Sequence, residues 1–336
     1  MKASEIGEFG LIDRLAGFTK TLSDKRQSSW RQLLVGIGDD AAMWKPRNPF
    51  QLATVDSLVE DVHFSFKYTS WLELGWKSVA VNLSDIAAMG ATPMYALVSL
   101  GLPRATDVRN AEQLYEGMAE IANRFGVAII GGDTVRSPFV FVSVTVAGCA
   151  SNESGEILRR SAAQPGNVVA VTGSLGAAAA GLTMLNGGLR LPPRTAAELR
   201  RAQLLPVPRI SEGQKLVALG VRAGMDISDG LVGDLTHICE MSKVGARLSV
   251  DAVPVSPAAT EGFGEQALQF ALNGGEDYEL LFAAPAKTVQ RVQSELGCRV
   301  TPVGEVTAAH PGKVELVDGA DKALDLSKPG WDHFTR

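Results

Sequence analysis

Six acid clusters in this chain sit either at the end of an apolar run or beside a glycine: LLVGIGDDAA, LATVDSL, VNLSDIAAMGA, VAIIGGDTVRSP, MDISDGLVGDL and NGGEDYELLF. Short apolar runs closed by turn residues are strand signals, and the stretches between them carry the i, i+3, i+4 spacing of helices. From Leu33 to Val146 the runs LLVGIG, FQLATVDSLV, PMYALVSLGL, VAIIGG and VFVSVTVAG alternate with helical patterns at about 71–89 and 107–125. The chain is thereby held to a mixed α/β architecture with acids gathered where its elements end.

A length of 336 residues exceeds the roughly 250–300 at which one core stops growing, so two domains are expected. The polar stretch SNESGEI at 151–157 interrupts the alternation, and VVAVTG restarts it, which puts the boundary between domains 1–150 and 151–336. Further strands are expected at AGMDIS, ARLSV, YELLFAA, RVTPVGEV and KVELVD. The proline-punctuated segment RLPPRTAAELRRAQLLPVPRI reads as a connection between helices. No short-period repeat in register and no low-complexity tract is present, although the two halves share a loose rhythm of acids at strand ends that hints at related domains.

Bulk properties remove several function classes. A net charge of −5 and the lack of any basic run argue against a nucleic-acid partner. Cys149, Cys239 and Cys298 are odd in number and have no CxxC spacing, which fits small core residues in a reducing compartment. The beginning MKASEIGEFG has acids where a leader needs an apolar stretch, and no apolar run reaches the ~18 residues of a membrane span. A cytoplasmic protein is expected.

The clusters carry different chemistry. Gly36, Gly38, Asp39 and Asp40 form a GxGxxA turn, but two carboxylates there would repel a pyrophosphate unless cations intervened, and magnesium takes oxygen ligands of this kind. The bland alternative for Asp40 is an Asx turn. Thr54 and Asp56 share one face of a strand that ends at Asp56, where an acid can also simply cap a turn. Ser78, Asn82 and Asp85 fall on a stripe of the helix whose apolar face holds Trp76, Val79, Ala80 and Leu83; solvation alone would explain such a stripe. Gly131 and Gly132 let a ligand approach the backbone, and Asp133 after them can hold a metal on it. Asp226 and Ser228 share a strand face, while Asp229 can be a ligand or a helix cap. Glu276 and Asp277 follow another glycine pair at the start of a strand.

Each cluster alone has a structural explanation, whereas metal and phosphate binding explains all of them together. No GxxxxGK[ST] occurs, the protein-kinase motifs are missing, and with four histidines and no GxSxG a zinc site or histidine triad is improbable. The nucleotide must be held by metals more than by lysines.

In order, the segments GIGDDAA, TVDSLVEDVHF, AVNLSDIAAMGA, GGDT, RRS, DISDGL and GGEDYEL resemble the thiamine-monophosphate kinase family, from EFGLIDRL at 8–15 to WDHF at 331–334. That family belongs to a superfamily with aminoimidazole ribonucleotide synthetase, selenophosphate synthetase and the hydrogenase maturation ATPase. The resemblance implies a two-domain α/β fold of the α+β type, the first domain built on a mostly antiparallel sheet and the second an α/β sandwich. It also implies a homodimer through the N-terminal domains, and transfer of the ATP γ-phosphoryl group to thiamine monophosphate with several Mg2+ ions. By resemblance, Asp40, Thr54, Asp56, Asp85, Asp133, Asp226 and Asp229 match metal positions. Gly132, Asp133, Arg160 and Ser228 match ATP contacts, and His63, Glu276 and Trp331 match substrate contacts. No residue matches a general base. Val55 departs from the pattern, since relatives can carry threonine there. Selenophosphate synthetases carry an N-terminal reactive cysteine and the maturation ATPase ends in cysteine, whereas this chain has its first cysteine at 149 and ends in Arg336. Two other classes stay open: a dinucleotide-binding dehydrogenase using the Asp39 and Asp40 turn, and a silent protein that binds nucleotide or thiamine phosphate without turnover.

Overall fold

The computed structural model describes residues 1–22, 26–37, 41–46, 48–320 and 322–324, with the backbone only of residues 8 and 9. The chain divides into two units, Met1–Ile86 with Thr92–Gly155, and Ala87–Ala91 with Glu156–Arg336. Among the described residues no helix is long and apolar enough to cross a membrane.

Up to Ala150 the elements are α1 (Ala3–Leu22), α2 (Ser28–Gln32), β1 (Leu33–Val35), β2 (Met43–Trp44), β3 (Gln51–Val59), α3 (Trp71–Ala88), β4 (Ala91–Leu102), α4 (Val108–Phe125), β5 (Ala128–Arg136) and β6 (Phe141–Ala150). Four strands form a sheet in the order β3-β6-β4-β5, with β3 antiparallel to β6 and β4 parallel to β5. Alternation along β3 turns Thr54, Asp56 and Leu58 inward and leaves Ala53, Val55 and Ser57 exposed, as a period of two requires. β3 continues for three residues past Asp56, so this acid lies within the strand and not at its end.

α3 is enclosed on every side from Leu74 to Ser84, which its polar stripe did not foretell. Ser78 and Asn82 are 1% and 0% exposed. Part of the cost of burying them is offset inside the helix: Ser78 Oγ donates to the Gly75 carbonyl at 2.9 Å and Asn82 Nδ2 to that of Ser78 at 3.0 Å. Two glycines let α4 press against α3 backbone to backbone. A Cβ at Gly75 would lie 1.9 Å from the Leu114 carbonyl oxygen, and one at Gly117 would lie 1.9 Å from that of Leu72.

The rest of the chain builds β7 (Val168–Thr172), α5 (Ala177–Gly187), α6 (Pro193–Leu204), α7 (Ile210–Ala218), β8 (Ala223–Asp226), α8 (Leu231–Ser242), β9 (Gly245–Ser249), α9 (Pro257–Phe263), α10 (Gln266–Asn273), β10 (Leu280–Ala284), α11 (Ala286–Glu295), β11 (Val300–Thr307), β12 (Val314–Val317) and β13 (Ala323–Leu324). The seven strands pair in the order β13-β12-β9-β11-β7-β10-β8, with β12 parallel to β9 and the other neighbours antiparallel. Val169, Val171, Leu248 and Leu281 from the strands meet Leu235 and Ile238 of α8 in the main core. A smaller cluster of Ala180, Met184, Leu199, Ala259 and Ala267 joins α5, α6, α9 and α10.

The segment read as a proline-rich connection is itself the helix α6. Pro193 occupies its first turn, where no backbone donor is needed, and Pro206 and Pro208 follow its end. The strand expected from Tyr278 starts at Leu280, because Glu276 and Tyr278 adopt positive φ angles of 67° and 51° that no strand accommodates.

Candidate active site

Asp40 and Trp331 lie outside the described residues. In the first unit, Thr54 and Asp56 on β3 face Asp85 near the end of α3, brought together across 31 positions of sequence. Thr54 Oγ1 donates to Asp85 Oδ2 at 2.5 Å. Burial first, and then the charge of Asp85 and a hydrogen bond shared with it, push the Asp56 carboxyl up to about 6. These carboxylates have each other as neighbours, an arrangement that a cation between them would relieve. Two carboxylates and a hydroxyl form an all-oxygen set of the kind a hard divalent ion takes, so the residues fit magnesium. Among the described residues no group of three or more His, Cys, Asp and Glu side chains is arranged to hold a metal.

Asp133 is not part of that group. It lies on β5, opposite Ser99 of β4, whereas Thr54 and Asp56 lie on β3 at the other edge of the sheet. Three strand spacings separate the edges, roughly 14 Å along the sheet. The glycine pair before it lies inside β5. Gly132 has φ of 153°, and a Cβ there would lie 1.8 Å from the Val98 carbonyl oxygen, so only glycine fits. His63 follows β3 in a turn, and its Nδ1 accepts from the Val59 N–H at 3.0 Å. In a neutral ring this puts the proton on Nε2, leaving His63 a donor.

In the second unit, β8 ends on the buried Asp226, and Ser228 and Asp229 occupy the turn before α8. The capping position belongs to Gly230, so Asp229 is not the cap. Asp234, which the sequence reading passed over, organises this turn: its Oδ2 accepts from the N–H groups of Ser228, Asp229 and Gly230 at 3.0, 3.1 and 3.1 Å. Burial, together with the charges of Asp226 and Asp229, pushes the Asp234 carboxyl up to about 8, against the pull of those amide bonds. An acid in the first turn of a helix, eight residues after Asp226, is the signal that could have found it.

Glu276 is tied to the same turn, its N–H donating to the Ser228 carbonyl at 2.8 Å. Its carboxylate accepts from Gln203 Nε2 at 2.6 Å. Asp277 accepts from the N–H groups of Gly176 and Ala178 at 2.7 and 3.4 Å, filling the N-terminus of α5, and burial pushes its carboxyl up to about 8. Glu279 takes two charge-assisted bonds from Arg209, at 2.7 Å from Nε and 2.6 Å from Nη2, and a third from Thr172 Oγ1 at 2.6 Å. Arg160 opens a short turn on the surface. Its carbonyl accepts from Ser242 Oγ at 2.7 Å, and its guanidinium has no partner among the described residues.

The family described as AIR synthase related protein matches with its N-terminal domain over residues 38–150 and with its C-terminal domain over 164–317. The chain is 38% identical to a thiamine-monophosphate kinase of Escherichia coli K12, covering 98% of each protein. It belongs to the thiamine-monophosphate kinase family. The solved thiamine-monophosphate kinase from Stenotrophomonas maltophilia K279a is 36% identical and superposes with a TM-score of 0.80 over 94% of this chain and 96% of that one. AaThiL complexed with AMPPCP and TMP is 32% identical, with a TM-score of 0.76 over 99% of both chains.

Proposed function

We propose that the chain transfers the γ-phosphoryl group of ATP to thiamine monophosphate, giving thiamine diphosphate and ADP with Mg2+. Full-length identity to thiamine-monophosphate kinases carries this reading, supported by a relative solved with AMPPCP and TMP together. The chemistry agrees with the residues. The acceptor is a phosphate oxygen whose second ionisation lies near a pKa of about 6, so no general base is needed. Bound magnesium ions would supply neutralisation of charge between the two polyanions. Asp40, Thr54, Asp56, Asp85, Asp133, Asp226 and Asp229 are assigned to magnesium. Gly132, Asp133, Arg160 and Ser228 are assigned to the nucleotide. His63 donates to the substrate through Nε2, and Glu276 and Trp331 receive its rings.

The enzyme is expected to work as a cytoplasmic homodimer. Two observations support the dimer. Asp133 lies across the sheet from the Thr54, Asp56 and Asp85 group, so a second copy presenting its β5 edge would complete the ligand set. Val55, Leu97 and Val135, at 59%, 41% and 40% exposed, leave an apolar surface on three strands of that sheet. ADP release tests the function directly. It should require ATP, Mg2+ and thiamine monophosphate, and it should be absent with thiamine, whose alcohol would need a base. Equal release with thiamine, or release without an acceptor, would overturn the reading.

A further inference from the structure

Helix α8 is fastened at both ends to a turn assigned to the nucleotide. At its start, Asp234 holds the N–H groups of Ser228, Asp229 and Gly230. At its end, Ser242 meets the turn Arg160–Ala162, whose first residue lies 82 positions earlier in the chain. The Ser242 hydroxyl donates to the Arg160 carbonyl at 2.7 Å and accepts from the Ala163 N–H at 3.0 Å. One side chain thereby spans the turn from its first residue to the residue after its last. The helix end that carries it is itself fixed: Lys243 follows at φ +57°, where glycine is the usual choice, and its N–H closes on the carbonyls of Cys239 and Glu240.

The chain is anchored on both sides of Arg160 and left open at Arg160 itself. Before it, the Arg159 N–H donates to the Arg222 carbonyl at 2.8 Å. After it, Ala162 packs against the main core and Ala163 is buried in it. Arg160 and Ser161 between these anchors are exposed. The Arg160 guanidinium has no partner among the described residues, so its aim follows from the backbone of the turn. Among the described residues no side chain but Ser242 bonds that backbone. Two hydrogen bonds at the edge of a core already closed on either side add little to the fold. Alanine would end the helix as well as serine does, but it could not fix the carbonyl and the amide of this turn.

We infer that Ser242 is a positioning residue for ATP that acts through Arg160: its hydroxyl holds the turn so that the guanidinium meets the nucleotide already aimed. Such pre-organisation raises affinity because less freedom is lost on binding. This rests on the kinase reading above and adds to it a residue assigned to neither substrate nor metal.

The test is ADP release with ATP and thiamine monophosphate varied separately, in Ser242→Ala, Ser242→Thr, Arg160→Met and the Ser242→Ala/Arg160→Met double variant. Ser242→Ala should raise KM for ATP about three- to tenfold, with kcat and KM for thiamine monophosphate within about twofold. Ser242→Thr keeps the hydroxyl and should recover most of the loss. Arg160→Met should raise the same KM further, and the double variant should be no worse than Arg160→Met alone, because both changes act through one guanidinium. An unchanged KM for ATP in Ser242→Ala or in Arg160→Met, an equal loss for thiamine monophosphate, or additive effects in the double variant would overturn the inference. If thermal unfolding shows Ser242→Ala to be poorly folded, Ser242→Cys serves in its place: it nearly keeps the size and weakens both hydrogen bonds, so an unaltered KM for ATP there is equally fatal. An unaltered chain that releases no ADP from the two substrates would instead sink the kinase reading itself.

Discussion

Two sets of carboxylates, one in each unit, meet different neighbours. In the first, Asp56 and Asp85 stand beside one another with a threonine hydroxyl between strand and helix, and burial and the charge of Asp85 make ionisation of Asp56 harder. In the second, Asp234 is met by three backbone amides, Asp277 by two amides at a helix start, and Glu279 by a guanidinium and a hydroxyl. An acid whose donors come from the protein is a structural brace. Where acids neighbour one another, as Asp56 and Asp85 do and as Asp226 and Asp229 do around Asp234, a cation would relieve the repulsion. The contrast separates two jobs that look the same in sequence: Asp277 and Glu279 brace the second unit, whereas the Asp56 and Asp85 group fits the metal role proposed above.

The comparison breaks first on Asp85. Asp85→Asn should lower kcat by about 10²–10³-fold, the scale of removing one strong electrostatic contact at a phosphoryl-transfer site. Its melting temperature should stay level or rise, since a repelling pair becomes a charge beside an amide. Near-normal turnover at saturating Mg2+ would move the pair to the structural side. Arg209→Met should do the reverse. It strands Glu279, 11% exposed, without its cation and should cost about 2–4 kcal/mol in urea unfolding, while the folded fraction keeps most of its turnover. A large kcat loss at unaltered stability would put Arg209 among the reacting groups.

Smaller effects sharpen the same division. Thr54→Val removes the hydroxyl donor to Asp85 and nearly keeps the shape, so turnover should fall only about three- to tenfold, read in steady-state kcat. Asp277 keeps its proton up to about pH 8 when folded and loses it near pH 4 when unfolded. The folded chain therefore binds more protons between those values, so its stability is highest at the acid end of this window and falls as pH rises through about 8. Asp277→Asn cannot titrate. Its melting temperature should fall less than that of the unaltered chain between about pH 5 and pH 8, by a few degrees. Parallel pH profiles would show that the carboxyl is ionised throughout.

What the sequence determined by itself was local and periodic. Alternating β-branched and apolar residues announced β3 through β6 and the strands of the second unit, because side chains two apart must share a face. The apolar i, i+3, i+4 pattern announced α3 and α4, whereas the glycine pair before Asp133, expected to admit a ligand, meets the Val98 carbonyl of the chain's own strand β4. Family motifs then named the acids. Tertiary structure decided whatever depends on partners distant in sequence. Ser78 and Asn82 form a polar stripe in any helix, but only the close crossing by α4 and the enclosure of α3 put that stripe in the interior. Asp85 looks like a solvated surface acid until β3 brings Thr54 to it across 31 positions. Asp234, Asp277 and Glu279 are indistinguishable from ligands in the sequence, since a carboxylate's role is set by the donors that reach it, and those arrive from other strands and helices. The same holds for Gln203, an ordinary polar residue of a helix until the fold buries it and places Glu276 within 2.6 Å. Local pattern fixes which face a side chain takes; long-range packing fixes what that face meets.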